Sequence, residues 1–445
     1  MSKQPISVFS RLSQNDFLES TLLPLGTHLR QCSGPQSHRL PHSKERDMKR
    51  FWFLPLLLIW LISWTSPLTA QNRVTFRILL PLTGSYTKFA DIERKAYEIA
   101  VEEINTAHGI QGKAITLEFQ DSRGNPELSK SIAEKLIDQY KQPLIFGEYS
   151  SNCSKAVAAV AEAKRVPYLV VTGAADSITQ PGHPFVFRMC PANGYYPSGL
   201  LSFIQEVVKP QTMVILYESS DFGTSGAEVV MKQAAKMGIK VLMKDKYEKG
   251  SSNFKPLLSR VKTEKPDVIY MVSYVNDATL LMKQIRDLQI DAKLFAGGAA
   301  GFAIPEFIQN AKEASEYVVT ASPWSPQVAY PGAKEFAEKY RKRHGDYPSY
   351  HGAEAYSALY VIKDVLTRAT AWTPEAIRDS LKATNLMTAF GPIKFEDKED
   401  YTNQNFMDTL VMQVINGRHE TIWPVNYASK TYAYPIPPWR DRKVR

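Results

Sequence analysis

The chain is poor in the residues that carry catalytic and metal chemistry. Its 445 residues include three cysteines and eight histidines. Cys32, Cys153 and Cys190 form no C-x-x-C, and no Cys/His cluster stands beside them, which excludes a structural zinc site. Cys153 and Cys190 read as small buried hydrophobes left unpaired, with pairing in an oxidising compartment as the alternative. The G-x-S-x-G nucleophile elbow, the G-x-x-x-x-G-K-[ST] phosphate loop and the H-E-x-x-H zinc helix are all missing. Gly297-Gly298-Ala299-Ala300-Gly301 resembles a dinucleotide loop only loosely, because its spacing fails G-x-G-x-x-G and Pro305 follows. No cofactor is expected. The histidines are scattered, and His351 is the one placed near a cleft, where a partly buried polar residue before a helix explains it equally well.

Long apolar runs are also lacking. The longest candidate, Phe51–Trp64 (FWFLPLLLIWLISW), has 14 residues and contains Pro55, too short and too interrupted to span a bilayer. Met48-Lys49-Arg50 precedes it and the small-residue stretch Thr65–Ala70 follows, the layout of a secretory signal peptide cut before Gln71. Residues 1–47, polar and without period, read as a mis-assigned N-terminal extension ahead of the true start at Met48. Eight basic and four acidic residues lie before Gln71, so the formal charge of +9 becomes 46 Lys/Arg against 41 Asp/Glu, or +5. No basic cluster interleaved with aromatics remains apart from Arg440–Arg445, which argues against nucleic acid as a partner.

What is abundant is alternation. From Val74, short apolar runs alternate with amphipathic helical stretches, the pattern of a parallel sheet with helices on both faces. Strand Thr75–Leu80, a helix with Ile92, Ala96, Ile99, Ala100 and Ile104 on one face, strand Ile115–Gln120 and strand Pro143–Gly147 make the first set. The pattern restarts after Pro191 with strands Met213–Tyr217, Val241–Tyr247, Val268–Val272 and Leu294–Ala296. The fold class is therefore α/β with two doubly wound parallel-sheet lobes. The tail 435–445 (PIPPWRDRKVR) is Pro-rich and basic and reads as disordered.

One stretch concentrates binding chemistry: GEYSSNCSKAVAAVAEAKRVPYLVVTGAADSIT, residues 147–179. Ser150, Ser151 and Asn152 supply caps for a helix, whose start carries unpaired N–H groups and partial positive charge suited to a carboxylate. The next strand ends in Gly173-Ala174-Ala175-Asp176, where small side chains expose backbone and one acid stands alongside. The layout suits gripping a small zwitterion.

Several segments together resemble the periplasmic leucine/isoleucine/valine-binding protein family. They are ILLPLTG (78–84), AVEEINTAHGIQG (100–112), DSRGNP (121–126), FRMCP (187–191), YESSDFG (217–223) and Tyr347–Tyr360, in the family's order from about Val74 to Trp423. The resemblance implies the type 1 periplasmic fold, a clamshell whose two lobes are joined by three crossings and close by hinge motion around an amino acid or amide. Crossings are expected near Pro191–Asn193, Ala321–Pro323 and Phe390–Pro392, giving lobe 1 as 72–192 plus 323–390 and lobe 2 as 193–322 plus 391–434. It implies that Ser151 binds the ligand carboxylate, that the Ala174 carbonyl receives its ammonium, and that Phe89, Phe222 and Tyr274 surround its side chain. Where the family commonly has a threonine this chain has Asp176, and where a second-lobe carboxylate is expected it has Ala299. Asp176 is therefore expected to supply the missing negative charge, with Ser150 beside Ser151 completing the candidate site. By the same resemblance the protein is an exported, periplasmic, monomeric solute-binding subunit. It delivers its ligand to an ABC permease and ATPase. The alternative is a sensor of the same fold reporting to a regulatory partner; an enzyme is not expected.

Overall fold

The computed structural model describes residues 72–442. The expected extension (1–47) and signal peptide (48–70) lie outside them. Chain order begins β1 (Arg73–Leu80), α1 (Thr87–Thr106), β2 (Ala114–Asp121), α2 (Pro126–Asp138), β3 (Ile145–Gly147), α3 (Ser151–Lys164), β4 (Tyr168–Val170) and β5 (Val186–Arg188). It continues with α4 (Ser198–Phe203), β6 (Thr212–Glu218), α5 (Asp221–Lys236), β7 (Lys240–Tyr247), α6 (Lys255–Glu264), β8 (Val268–Val272) and α7 (Val275–Asp287). Then come β9 (Leu294–Gly297), α8 (Pro305–Ala311), β10 (Val319–Ser322), α9 (Ala333–His344), α10 (Tyr350–Arg368) and α11 (Pro374–Lys382). Strands β11 (Asn385–Thr388), β12 (Gly391–Lys398), β13 (Tyr401–Asn405), β14 (Leu410–Ile415) and β15 (Arg418–Trp423) close the order.

Two sheets organise these elements, in the orders β11-β12-β13-β5-β4-β3-β1-β2 and β15-β14-β10-β9-β8-β6-β7. Each has a parallel centre, and antiparallel strands extend one side. The central strands are buried on both faces, which is why β8 reads as the unbroken apolar run VIYMV without alternation. Helix α1 turns Ile92, Ala96, Ile99, Ala100 and Ile104 inward at helical spacing, and with them Glu93 and Tyr97.

The chain passes between the sheets after β5, after β10 and after β13. The third passage corrects the expected boundary at Phe390–Pro392. Strand β12 pairs with β13, and β13 runs beside β5 with Gln404 opposite Arg188, so residues 391–405 belong to the first sheet and the crossing falls between Asn405 and Leu410. The driving force is polar. Gln404 Oε1 accepts from Arg188 Nε at 2.6 Å, its Nε2 donates to the Cys190 carbonyl at 2.8 Å, and Asn405 Nδ2 donates to the Met189 carbonyl at 2.9 Å.

The tail is likewise corrected. Trp439 is buried, its Nε1 donates to the Ile290 carbonyl at 2.8 Å, and Arg442 lies 3.6 Å over the indole while donating to the Glu316 carbonyl. Residues 435–442 are thus packed on the second sheet's elements; 443–445 lie outside the described residues. Cys153 and Cys190 are both buried and unpaired. Among the described residues no helix is long and apolar enough to cross a membrane.

Candidate ligand-binding site

Strand β3 ends at Gly147 with φ +98°, where a Cβ would stand 2.5 Å from the Leu79 carbonyl oxygen, so only glycine fits this turn. The turn delivers Tyr149, Ser150 and Ser151 to the start of α3. Ser150 Oγ accepts from Cys153 N at 3.3 Å and serves as the helix cap. Ser151 Oγ accepts from Ala175 N at 3.1 Å, tying the helix start to the loop after β4. That loop is anchored from below by the fully buried Arg188, whose Nη1 donates to the carbonyls of Ala175 (2.6 Å) and Gly173 (3.3 Å) and whose Nη2 donates to Thr179 Oγ1 (2.8 Å).

The second lobe presents Phe222 and Tyr274 at the starts of α5 and α7. The buried Glu218 carboxylate accepts from the N–H groups of Ser220 (2.7 Å) and Gly223 (2.8 Å), fixing the start of α5 around Phe222. Gly301 packs so tightly that a Cβ there would lie 2.3 Å from the Tyr274 carbonyl carbon. The Gly297–Gly301 run thus serves close packing. Within it Ala299 adopts φ +64°, ψ −146°, a region that glycine alone occupies comfortably, and Ala300 N donates to Tyr350 Oη at 3.1 Å.

A cavity of about 20 Å³ lies between the lobes, lined by Tyr149, Ser151, Thr172, Ala174, Tyr196, Phe222, Tyr274, Ala300, Tyr350 and His351. It has room for about one water, so a larger guest requires the lobes or rings to move apart. Its walls are aromatic: Tyr274 lies 5.2 Å from Phe222 and 6.1 Å from Tyr149, and His351 stacks at 3.9 Å on Tyr350. Burial pushes His351 down to about 3 and holds the hydroxyls of Tyr149, Tyr196 and Tyr274 well above their usual range, so the lining carries no charge at neutral pH. Around the rim, Lys249 Nζ donates to Tyr86 Oη at 2.7 Å and Asn152 Oδ1 accepts from Asp221 N at 3.1 Å, joining the two halves.

Of the candidate residues, Ser151, Ala174, Phe222 and Tyr274 meet at this cavity. Phe89 stands one layer behind, stacked at 4.4 Å on Tyr149, and Ser150 caps α3. Two expected roles are corrected. The Ala174 carbonyl accepts from Asn193 N at 2.7 Å, so its principal lone pair is already engaged. Asp176 is not part of the lining: Oδ1 accepts from Gly194 N (2.9 Å) and Tyr401 Oη (2.8 Å), and Oδ2 from Ser225 Oγ (2.9 Å). A carboxylate with three donors has no need of a ligand ammonium. Sequence reasoning misses Tyr149, Thr172, Tyr196 and Tyr350. Tyr149 precedes the caps and Thr172 precedes Gly173, so adjacency is a usable signal for both.

The architecture is that of a two-lobed binding protein with its cavity between strand ends of both sheets. The chain belongs to the periplasmic binding protein family, whose model matches residues 74–418. Leu/Ile/Val-binding protein homolog 8 of Brucella suis is 27% identical over 387 residues, covering 82% of this chain and 94% of that one. The leucine-binding protein LivK of Thermotoga maritima superposes with a TM-score of 0.73 at 25% identity, covering 78% of this chain and 97% of its own. A solute-binding protein of an ABC transporter from R. palustris, solved with benzoate, superposes with a TM-score of 0.70 at 16% identity, covering 79% and 95%.

Proposed function

We propose that this protein is the exported solute-binding subunit of an ABC transporter, that it closes its two lobes over an amino acid of the branched-chain or aromatic kind, and that it hands this ligand to a permease and ATPase. One observation carries the reading: hydroxyl and small-residue backbone from the start of α3 and the loop after β4 face aromatic rings from the other lobe across one cavity. Ser151 and the Ala174 N–H are the groups for the ligand carboxylate, aided by the helix start. Phe222 and Tyr274 supply apolar surface, so affinity comes from desolvating the ligand between closed halves, less the cost of closure. The names of the relatives, which refer to leucine, isoleucine and valine, support this ligand class. The ligand is held without chemical change.

A thermal melt of the purified protein against L-leucine, L-isoleucine, L-valine, L-phenylalanine, their amides and benzoate tests the reading. A ligand present at about a thousand times its Kd stabilises the folded state by about 4 kcal/mol. At least one amino acid is expected to raise the midpoint by several degrees; a flat response to the whole panel contradicts the proposal.

A further inference from the structure

Behind the uncharged lining lie two acids that are not part of it. Glu93 on α1 and Glu354 on α10 are completely buried. Both oxygens of Glu93 and Oε2 of Glu354 have no hydrogen-bond partner, and neither does Tyr97 Oη one turn along α1. The two helices touch at this level, since a Cβ on Gly352 would lie 3.3 Å from Ile92 Cγ2 and 3.8 Å from Ala96 Cβ. Each acid stands directly behind a lining hydroxyl. Tyr196 Oη approaches Glu354 Oε1 at 3.5 Å, and Thr172 is the hydroxyl beside Glu93.

Buried carboxyls without partners are destabilising, and apolar residues of similar size would pack there with a smaller penalty. Burial raises both acids above the usual carboxylate range, and Glu354 is raised further by Glu93. The other titratable groups facing them are Glu148, Cys190 and the tyrosines 97, 149, 168, 196 and 350. Glu148 is occupied by Ser129 Oγ and Tyr149 N, and Arg188, beyond Cys190, is committed to Gln404, Thr179 and two carbonyls. Among the described residues the pair therefore has negative charge to offer and no cation to receive it.

We infer that Glu93 and Glu354 provide the counter-charge for a cationic amine on the ligand, acting through the hydroxyls of Thr172 and Tyr196, and so select amines over their uncharged analogues. A tyrosine hydroxyl that donates its proton to a carboxylate turns its lone pairs toward the cavity, where an ammonium can donate to them. Thr172 Oγ1 donates to the Glu148 carbonyl at 3.1 Å and likewise leaves lone pairs as its outward face. This arrangement replaces the charge that Ala299 lacks and that Asp176 has already committed to other donors. The inference rests on the proposed amino-acid-binding function and adds the residues that read the amine.

Calorimetric titration with L-leucine and L-phenylalanine, and with their deaminated counterparts 4-methylpentanoate and 3-phenylpropanoate, tests it. The unmodified protein should prefer each amino acid by about thirtyfold or more. In Glu93→Gln/Glu354→Gln that preference should collapse, through loss of amino-acid affinity. Should the double variant fail to fold, Glu93→Gln and Glu354→Gln alone should each narrow it. Equal binding of amine and deaminated acid by the unmodified protein, or an undiminished preference in the folded variants, overturns the inference while leaving a carboxylate-binding clamshell intact. If none of the four compounds binds but another of the melt panel does, the inference falls alone; if nothing binds, both fall.

Discussion

Replacing Arg188 with methionine is expected to destabilise the protein by about 3–5 kcal/mol and to weaken ligand binding as well. The guanidinium sits in the interior with no carboxylate bonded to it, and four donor contacts link it to Gln404, Ala175, Gly173 and Thr179. Burial lowers its pKa from the usual arginine range. Methionine fills the stem but donates nothing, so two carbonyls, an amide oxygen and a hydroxyl lose their donor in a dry environment, at about 1–3 kcal/mol for each that finds no substitute. Removing a buried charge offsets part of that loss. The same contacts hold Gly173–Ala175 in place, so the loop that brings Ala174 to the cavity loosens. Urea unfolding of Arg188→Met beside the unmodified protein measures the first effect. A variant of equal stability would show that the loop does not depend on this side chain.

Truncating Tyr274 to alanine is expected to leave the protein folded and to weaken ligand binding by a hundredfold or more, the equivalent of about 3–5 kcal/mol for a buried aromatic side chain. Its ring is 7% exposed and stands 4.9 Å from Tyr86, 6.1 Å from Phe89 and 6.1 Å from Tyr149, three rings of the opposite lobe. It is also 5.2 Å from Phe222 of its own lobe. The residue is thus where the second lobe meets the first across the cavity, while its backbone is held independently by the close approach of Gly301. Tyr274→Phe separates ring from hydroxyl and should keep binding within about tenfold, since a single hydrogen bond contributes about 1 kcal/mol. Titration of both variants with whichever amino acid raises the melting midpoint measures the difference. Alanine at 274 with affinity within threefold of the unmodified protein would show that the aromatic wall does not hold the ligand.

The amino-acid sequence makes legible the part of the protein that local rules control. Parallel strands buried on both faces write themselves as apolar runs, and capping chemistry marks Ser150 and Ser151 because unpaired helix N–H groups need oxygen acceptors. Phe222 and Tyr274 are legible because each follows a strand end. Long-range polar pairing is not legible. Residues 391–405 join the first sheet through Gln404 and Asn405 meeting Arg188 and Met189 across more than two hundred positions, a partnership without local signature. Asp176 looks available in the sequence because its partners Ser225 and Tyr401 are equally distant along the chain from any cue. Glu93 and Glu354 are hidden for another reason: an acid on an amphipathic helix ordinarily faces water, and only the packing of α1 on α10 turns these two inward. The tail's Pro-rich, basic composition conceals that Trp439 finds a carbonyl and a cation to bury against.

A crystal structure of the protein with the amino acid that most raises its melting midpoint tests the central claim most directly. The ligand is expected between the lobes, its carboxylate oxygens within about 3 Å of Ser151 Oγ and Ala174 N, its side chain against Phe222 and Tyr274, and its amine toward Thr172 and Tyr196. A ligand bound outside the interlobe cavity, or inside it with the carboxylate turned away from the start of α3, would contradict that claim.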